Sequence, residues 1–407
     1  MPDNEIIVEP ENVSRDGRQD KEHRYRRGKY RRRMHYRGRV GQIIIYLGKF
    51  LRMFIYQNDW KVFPISILIA GLLAYVIRND FMRTMEGTLK GAFAVSCVAL
   101  WNGCFNSIQV ICREREIIKR EHRTGMHISS YIIAHMIYQG LLCIGQSILM
   151  LYVFKMVGIY LPKEGMITRW FLVDLGITIF LITYAADMLA LLISAVVKST
   201  TSAMTVMPFI LIFQLVFSGG IFALPAWTQP LTNMTISSYG LTCITVQADY
   251  NSLPMVSGWQ TLKKMKGTDI EGTITVDEIL ALCSEETAQH SDVIRELRQM
   301  PAGREGTVAG EVTIGEVIDW AARDPELEEV RKKEYSGSVS IGDVIDIFGE
   351  DEVKRAVTAQ SAKAGQNMYY EKTIDNVIVC WGTLIMFSLL YAALAIFNLE
   401  FVDKDRR

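Results

Sequence analysis

Long apolar runs that alternate with strongly charged segments constrain this chain more than any other feature of its sequence. Residues 24–39 hold nine Lys and Arg and no acidic residue, whereas residues 258–372 hold 23 acidic and 14 basic residues. The 407 residues together have a formal net charge of zero, which argues against a dedicated nucleic-acid binder. A bilayer core of about 30 Å requires roughly 20 apolar residues in a helix. Several runs approach or exceed that length, so the sequence predicts an integral membrane protein.

Six runs have the apolarity of membrane-spanning helices. We predict a polytopic α-helical membrane protein with six transmembrane helices, at residues 62–77, 91–112, 129–157, 170–197, 203–223 and 374–397. The first run is short, and the neighbouring Trp60 can extend it. With their connecting loops, the first five spans form a region of residues 60–224, and the sixth lies within residues 373–398.

Lys and Arg concentrate in the tail of residues 1–40, in the loop after the second span, and in residues 399–407. Such residues favour the cytoplasmic side of a membrane. We therefore expect both termini in the cytoplasm of a plasma membrane protein, and the segment between the fifth and sixth spans outside. Residues 1–39 are polar, so no cleavable signal peptide is expected.

A shorter apolar segment, residues 41–59, precedes the first span. Gln42, Lys49 and Tyr56 recur at intervals of seven, and Arg52 joins them at helical spacing. This pattern predicts an amphipathic helix along the inner leaflet, because the segment is too short and too charged to favour a seventh span. The remaining surface of that helix is apolar: Ile43, Ile44, Leu47, Phe50, Leu51 and Phe54.

The segment between the last two spans divides into two parts. Residues 225–257 are semi-apolar but interrupted by prolines, which predicts a re-entrant or lip segment packed on protein. Residues 258–372 predict a small extracytoplasmic α/β insert with three strand-helix repeats. Each repeat has the capping-box spacing, at Thr275 and Glu278, Thr313 and Glu316, and Ser340 and Asp343. Calcium binding is the alternative use of its acidic residues, but a solvated acidic face is favoured because no D-x-D-x-D-G loop is present.

Enzyme motifs are missing from the sequence, which has no G-x-x-x-x-G-K-[ST], H-E-x-x-H or G-x-S-x-G run. We expect no catalytic residue and no metal site. Cys243 and Cys283 fall outside the spans and could form a disulfide in an oxidising exterior.

The loop at residues 113–126 predicts a short charged helix between two long spans. At the cytoplasmic surface such a helix would offer a lever to a soluble motor, with Lys49 and Arg52 as available ion-pair partners. The alternative is a solvated loop whose basic residues only set topology. The charged residues and the following glycine are Glu114, Arg115, Glu116, Glu121 and Gly125.

This stretch, EREIIKREHRTGMHISSY at residues 114–131, resembles the coupling-helix signature of the ABCG (White/pigment and multidrug) exporters, whose membrane domain is of the ABC-2 type. Residues 184–191, YAADMLAL, are similar to the family's Y-S-A-S-S-M-A-L in the fourth span. FSG at 217–219, PAW at 225–227 and SYG at 238–240 are similar to its F-S-G, post-span Trp and R-Y-G. The matches occur in order over about residues 41–257, and the last span follows.

The resemblance implies a six-span permease that dimerises, as a homodimer or heterodimer. It also implies a connecting helix at 41–59, a coupling helix at 113–126, and a substrate path at the dimer axis between the second and fifth spans. ATP and Mg would bind a partner ABC ATPase, and this chain would hold no cofactor. The family usually fuses the ATPase ahead of the membrane domain, but only a basic tail precedes it here. We therefore expect a separate ATPase chain, as is common in bacterial relatives.

The resemblance also assigns roles to residues. Glu114, Arg115, Glu116 and Glu121 would transmit motion from the ATPase, and Gly125 would permit the tight entry into the third span. The substrate path would include Asn102, Phe105, Asn106, Phe209, Phe213 and Phe217, for which ordinary packing or lipid contact is the alternative. Ile221 and Phe222 occupy the place of the family's outer gate. Asp187 lies inside the fourth span, where a carboxylate is costly; a structural role is favoured over a cation or proton site.

The sequence thus predicts the permease subunit of an ABC exporter, moving an amphipathic or hydrophobic substrate by alternating access. The alternative is a membrane-anchored receptor or assembly module that acts through its insert without transport.

Overall fold

A computed structural model describes residues 38–56, 59–220, 225–289, 291–303 and 311–402. The predicted basic tail lies almost wholly outside these residues, as do Ile221 and Phe222. The first part of the described chain is helical, in the order α1 Arg39–Tyr56, α2 Val62–Ile77, α3 Met85–Ser107, α4 Val110–Arg123, α5 Ile128–Val157, α6 Phe171–Val196, α7 Thr200–Val216, α8 Gln229–Thr232 and α9 Ile236–Gln247. A final long helix, Ile374–Val402, is named α18 because the elements of the insert precede it.

Four helices in the described ranges are long and apolar enough to cross a membrane. They are the continuous run Met85–Arg123, which joins α3 to α4, then α5, α6, and residues Ile374–Glu400 of α18. Helices α2 and α7 are apolar but shorter, with 16 and 17 residues. At 1.5 Å per residue they extend about 25 Å, less than the hydrocarbon core. Each of the six predicted spans overlaps an apolar helix of the described residues, and the spanning role of α2 and α7 stays a prediction.

Helix α6 lies at the centre of the helical part and packs against α3, α5, α9 and α18. Its contact with α3 is unusually close at Gly103, where a Cβ atom would lie 2.1 Å from the backbone oxygen of Thr183. Small residues permit such an approach between membrane helices. Around this contact the buried side chains are large aliphatic ones, including Leu100, Ile179 and Ile182. The two apolar helices are therefore held at a fixed distance.

The segment predicted to pack on protein contains α9, a buried helix of 12 residues. Gln214 of α7 accepts a hydrogen bond from the amide of Ile236 at 2.8 Å, which satisfies a donor in the first turn of α9. Further along α9, Cys243 lies in a cluster with Val377 and Cys380 of α18. Cys243 and Cys283 are both free thiols, so the disulfide left open by the sequence is not formed.

The described residues of the insert form helices and one two-stranded sheet. Strand β1 (Asp269–Thr275) pairs antiparallel with β2 (Glu334–Ser340), with Gly272 opposite Gly337. Its helices are α10 Ser257–Lys264, α11 Val276–Leu282, α12 Glu285–Ala288, α13 Asp292–Gln299, α14 Ile314–Arg323, α15 Glu328–Arg331, α16 Ile341–Phe348 and α17 Glu350–Gly365. An α/β insert is therefore present.

All three predicted capping boxes are confirmed, at the first turns of α11, α14 and α16. The three strand-helix repeats stay a prediction as a set, because the middle one opens at Gly310, outside the described residues. In the described residues before α14, Thr313 forms only an isolated bridge with Pro301, so that unit has no strand of its own there. A capping box is satisfied within one turn of chain, whereas a strand needs a partner. In the described part of the insert, β1 and β2 pair with each other and no third strand joins them.

Candidate functional site

The charged loop after α3 forms helix α4, which begins at Val110 after a break of two residues. Its last turn is closed by Gly125, whose φ of +107° lies in the region that favours glycine. The amide of Gly125 donates to the carbonyl of His122, and the amide of Met126 donates to the carbonyl of Glu121. This tight turn brings the end of α4 directly against the start of α5. The helix predicted at 113–126 is therefore present, with bounds Val110–Arg123.

Helix α1 is bound to this turn by two polar side chains. The Gln42 amide donates to the carbonyl of Gly125 at 3.1 Å, and its oxygen accepts from the amide of His127 at 2.9 Å. One turn later, the Tyr46 hydroxyl donates to a carboxylate oxygen of Glu121 at 2.8 Å. Burial, followed by the bond to Glu121, raises the pKa of Tyr46 well above its ordinary value. The hydroxyl therefore remains a donor at neutral pH.

Glu114 is the second polar link between α1 and α4, and only 6% of its surface is exposed. One carboxylate oxygen lies 3.4 Å from the Lys49 ammonium and accepts a hydrogen bond from the Tyr131 hydroxyl at 3.1 Å. Because Tyr131 belongs to α5, this carboxylate joins three helices. A buried carboxylate is costly unless it is paired and hydrogen-bonded, and here it is both.

An aromatic cluster lies directly behind these polar contacts. The ring of Phe50 on α1 is buried against three α5 rings, with centroids 5.5 Å from Tyr131, 4.5 Å from His135 and 5.8 Å from Tyr138. These separations are within the range of favourable aromatic pairs. Apolar packing and the ionic contacts therefore hold α1 against α5 together.

Arg115 points the other way, toward the carboxyl end of α6. Its guanidinium donates to the carbonyls of Val197 at 2.8 Å and Ala195 at 2.9 Å. The last carbonyls of a helix have no partner within it, and a cation is favourable there. Ser194 accepts from the amides of Ile111 and Cys112, which are orphan donors in the first turn of α4. Helix α4 is thus attached to the central helix at the end where α6 stops.

The opposite side of α4 is exposed. Glu116 pairs with Lys119 at 2.9 Å in an exposed contact that adds little stability. Ile117 is 40% exposed, although it is a large apolar residue. The exposed residues are spaced so that they lie on one side of the helix, and they are Glu116, Ile117, Arg120, Arg123 and Thr124. We call these five residues the outer face of α4.

Some residues singled out from the sequence meet here and others do not. Gln42 and Lys49 face α4 and α5, whereas Arg52 is exposed and has no ion pair in the described part of the chain. Tyr56 is 83% exposed. The apolar surface of α1 is divided, because Ile43, Leu47, Phe50 and Phe54 pack inward while Ile44 and Leu51 are exposed.

Sequence reasoning did not identify Tyr46 and Tyr131. Tyr46 follows Gln42 by one helical turn and precedes Lys49 by three residues, so helical spacing could have placed it on the polar stripe. Tyr131 closes the stretch that resembles the coupling-helix signature, but its bond to Glu114 depends on the turn at Gly125.

The predicted path residues lie on α3 and α7. Asn102 is buried and its amide oxygen accepts from Ser66 of α2 at 3.2 Å, and Asn106 exchanges hydrogen bonds with Gln146 of α5 at 2.9 and 3.1 Å. Phe213 and Phe217 form a ring pair at 4.9 Å. Phe105 is 50% exposed and Phe209 is 70% exposed. The predicted path residues are therefore found as buried hydrogen-bonded amides, as a pair of packed rings, and as exposed rings.

A cavity of about 250 Å³ connects the path residues with the α1–α4 junction. Phe105, Asn106, Glu114, His135 and Gln139 are among its lining residues. His135 Nδ1 and Gln139 Oε1 are buried and have no hydrogen-bond partner among the residues that the structure describes. The volume could hold roughly eight water molecules at about 30 Å³ each. This polar space lies between the predicted substrate helices and the charged end of α4.

Asp187 is fully buried in α6. Ser107 of α3 is the polar side chain that interacts with its carboxylate. The choice between a structural and an ion-binding role stays a prediction.

Comparison with protein families matches residues 27–246 to the model of the ABC-2 type transporter, ABC2_membrane. The matched region begins ahead of α1 and ends within α9, so it covers the α1–α4 junction, the cavity and five of the six predicted spans. No curated protein matches the chain.

Proposed function

Since the chain belongs to the ABC-2 type transporter family, it is an integral membrane protein and the permease component of an ABC transporter, and we propose that it is the subunit through which an exporter moves an amphipathic or hydrophobic substrate. Such permeases work with an ABC ATPase, and the permease itself is not catalytic. The proposal further assigns ATP and Mg to a partner ATPase subunit, and alternating access to a pair of permeases, as a homodimer or heterodimer. The chain would lie in the plasma membrane with both termini in the cytoplasm and the insert outside.

One observation carries the coupling part of this proposal: α4 is attached firmly on one side and exposed on the other. Bonds through Glu114, Arg115 and Glu121 reach α5, α6 and α1 respectively. A force applied to the outer face would therefore be transmitted to three helices at once. Switching between inward and outward access requires different contacts in the two states, and the bonds of α4 are contacts that such a motion can change.

The supporting features of the substrate path are its aromatic and amide side chains. Phe105 and Asn106 line the cavity beside α4, and the exposed ring of Phe209 is available to lipid, a second permease or cargo. The proposal also retains an intramembrane carboxylate at Asp187 and an outer gate at Ile221 and Phe222. These assignments come from the sequence and not from the contacts described above. An amphipathic cargo suits this combination, since amides bind a polar group while aromatic rings contact the apolar part.

The test separates attachment of the ATPase from transmission of motion. Arg120→Glu and Ile117→Asp change the outer face without touching the buried bonds, so both should reduce co-purification of a phosphate-loop ATPase from native membranes. Arg52→Glu is the matched control, because it reverses an exposed charge on the neighbouring helix. Glu121→Gln should retain the ATPase but weaken the response of its activity to the permease. Retention of the ATPase by both outer-face variants would overturn the assignment of that face.

Purification of intact complexes without any ATPase would favour the alternative function, a receptor or assembly module acting through the insert. The same preparation distinguishes the two, since mass spectrometry identifies whichever partner remains bound.

A further inference from the structure

The insert contains a cavity of about 580 Å³, within the range of about 300–1,000 Å³ that is usual for small-molecule sites. It lies between β1, α11, α13 and α16, so both ends of the insert's sequence contribute to it. Most of the lining is aliphatic, with one aromatic ring, and these apolar residues are Ile274, Ile279, Leu282, Val293, Ile294, Leu297, Val344, Ile347 and Phe348.

The exposure of these side chains shows a buried end and an open rim. Ile294 is 5% exposed, and Ile347 and Phe348 are partly buried. At the rim, Leu297 is 39% exposed and Val293 is 51% exposed. Exposed apolar side chains scattered singly need no explanation, but contiguous ones around a recess indicate a binding site.

Charged groups contribute little to the lining. Among the described lining residues Glu278 is the one carboxylate, and its side chain accepts from the amide of Thr275 at 2.8 Å in the capping box of α11. The other members that are neither aliphatic nor aromatic are Gly272, Thr273 and Cys283. A polar ligand that entered would lose its hydration without sufficient compensating hydrogen bonds. The lining therefore selects an apolar ligand.

The parts of the insert that lie outside the described ranges, His290 and residues 304–310, are mostly small or polar. Residues 304–310, which lie outside the described ranges, read Arg-Glu-Gly-Thr-Val-Ala-Gly, and Val308 is their only large apolar residue. One valine is far smaller than the cavity. The occupant is therefore expected to be a separate molecule.

We propose that this cavity binds the hydrocarbon chain of a single-chain amphiphile, such as a fatty acid or a lysolipid. A methylene group is about as large as a water molecule, so 580 Å³ accommodates roughly 15–20 methylene groups at about 30 Å³ each. The insert is tied to the membrane helices, because Glu86 of α3 accepts from the amide of Ser257 at 2.7 Å. Lipid chains are therefore the apolar ligands concentrated beside it. The inference depends on the insert's own residues and not on coupling to an ATPase.

The experiment uses the full chain in lipid nanodiscs, so that detergent does not occupy the cavity. A photoreactive diazirine analogue of palmitic acid is added and activated, and labelled peptides are identified by mass spectrometry. We expect label on peptides from residues 276–299 and 344–348, in addition to the membrane helices. Excess palmitate or a lysophospholipid should remove the insert label, and the two competitors show which headgroup is preferred.

Variants of the rim make the test specific. Leu297→Asp places a charge in the apolar space and should lower the insert label about tenfold, since excluding a chain of several methylene groups from an apolar site costs at least that much affinity. Leu297→Ala keeps the lining apolar and should retain most of the label, which separates loss of binding from loss of folding. Val330→Asp is the matched control, because Val330 is 51% exposed on the same insert but outside the cavity.

Three results would overturn the proposal. The insert peptides could remain unlabelled while the membrane helices are labelled, or Val330→Asp could reduce the label as much as Leu297→Asp. Alternatively, a small polypeptide could co-purify in equal amount and be released by Leu297→Asp, in which case the occupant is a peptide.

Discussion

Replacing Tyr46 by Phe removes one hydroxyl from the α1–α4 junction and leaves the ring in place. The ring packs against Tyr131 with centroids 5.5 Å apart, so the apolar contact survives the substitution. What is lost is the 2.8 Å hydrogen bond to the Glu121 carboxylate. The change therefore isolates a single polar link between the helix that precedes the spans and the helix that follows α3.

The magnitude follows from the partner's charge and from the exposure of the bond. A hydrogen bond to a charged group contributes about 1.5–3 kcal/mol, and partial exposure to solvent reduces it, so we expect about 1–2 kcal/mol here. That energy corresponds to a factor of about 5–30 in the opening equilibrium of the junction. Hydrogen exchange at the amides of residues 121–127 should accelerate by this factor, while exchange in the middle of α6 stays unchanged.

The control is Tyr56→Phe, which removes a hydroxyl from the same helix at a position that is 83% exposed. It should leave exchange at residues 121–127 unaltered. A double-mutant cycle with Glu121→Gln adds a second check, because two changes to one bond should not have additive effects. Additive effects, or equal acceleration by Tyr56→Phe, would refute the argument that this bond holds α4 to α1.

Three further predictions concern the fold. Gly103→Ala places a Cβ atom 2.1 Å from the Thr183 oxygen and should lower the thermal midpoint of the purified protein, whereas Gly71→Ala, which meets nothing within 4 Å, should not. Asp174→Asn weakens a buried acceptor of three backbone amides in the loop before α6 and should destabilise the protein by about 2–3 kcal/mol. Asp375 is exposed, so Asp375→Asn is the control, and equal thermal midpoints for the two variants would contradict the prediction. Ser340→Ala removes the cap of α16 and should cost about 1 kcal/mol, measured as faster proteolysis of the insert with the membrane helices still intact.

Local signals in the sequence predicted the helical elements well, because the residues that make up each signal lie close together in the chain. An apolar run of sufficient length needs no knowledge of its neighbours, so four of the predicted spans overlap α3, α5, α6 and α18. The capping boxes at Thr275, Thr313 and Ser340 were found for the same reason, since the cap and its partner are three residues apart.

The sequence was less informative about faces and partners. The heptad of Gln42, Lys49 and Tyr56 identified a polar stripe on α1, but only the first two residues contact α4 or its closing turn. The apolar side of α1 was predicted as one surface, yet part of it packs on α5 and part is exposed. A periodic pattern fixes which residues share a face, but the neighbouring helices decide which face is buried.

The sequence by itself determined that this chain enters a membrane, where its apolar helices lie, and which loop is charged. The tertiary structure decided that Glu114 meets Tyr131 and Lys49, that Arg115 meets the end of α6, and that the apolar residues of the insert surround a cavity. Lys49 and Glu114 are 65 residues apart, and no pattern within one helix specifies such a pair. The physical reason is that helix formation is governed by contacts within a few residues, whereas the pairing of distant side chains depends on how whole helices pack.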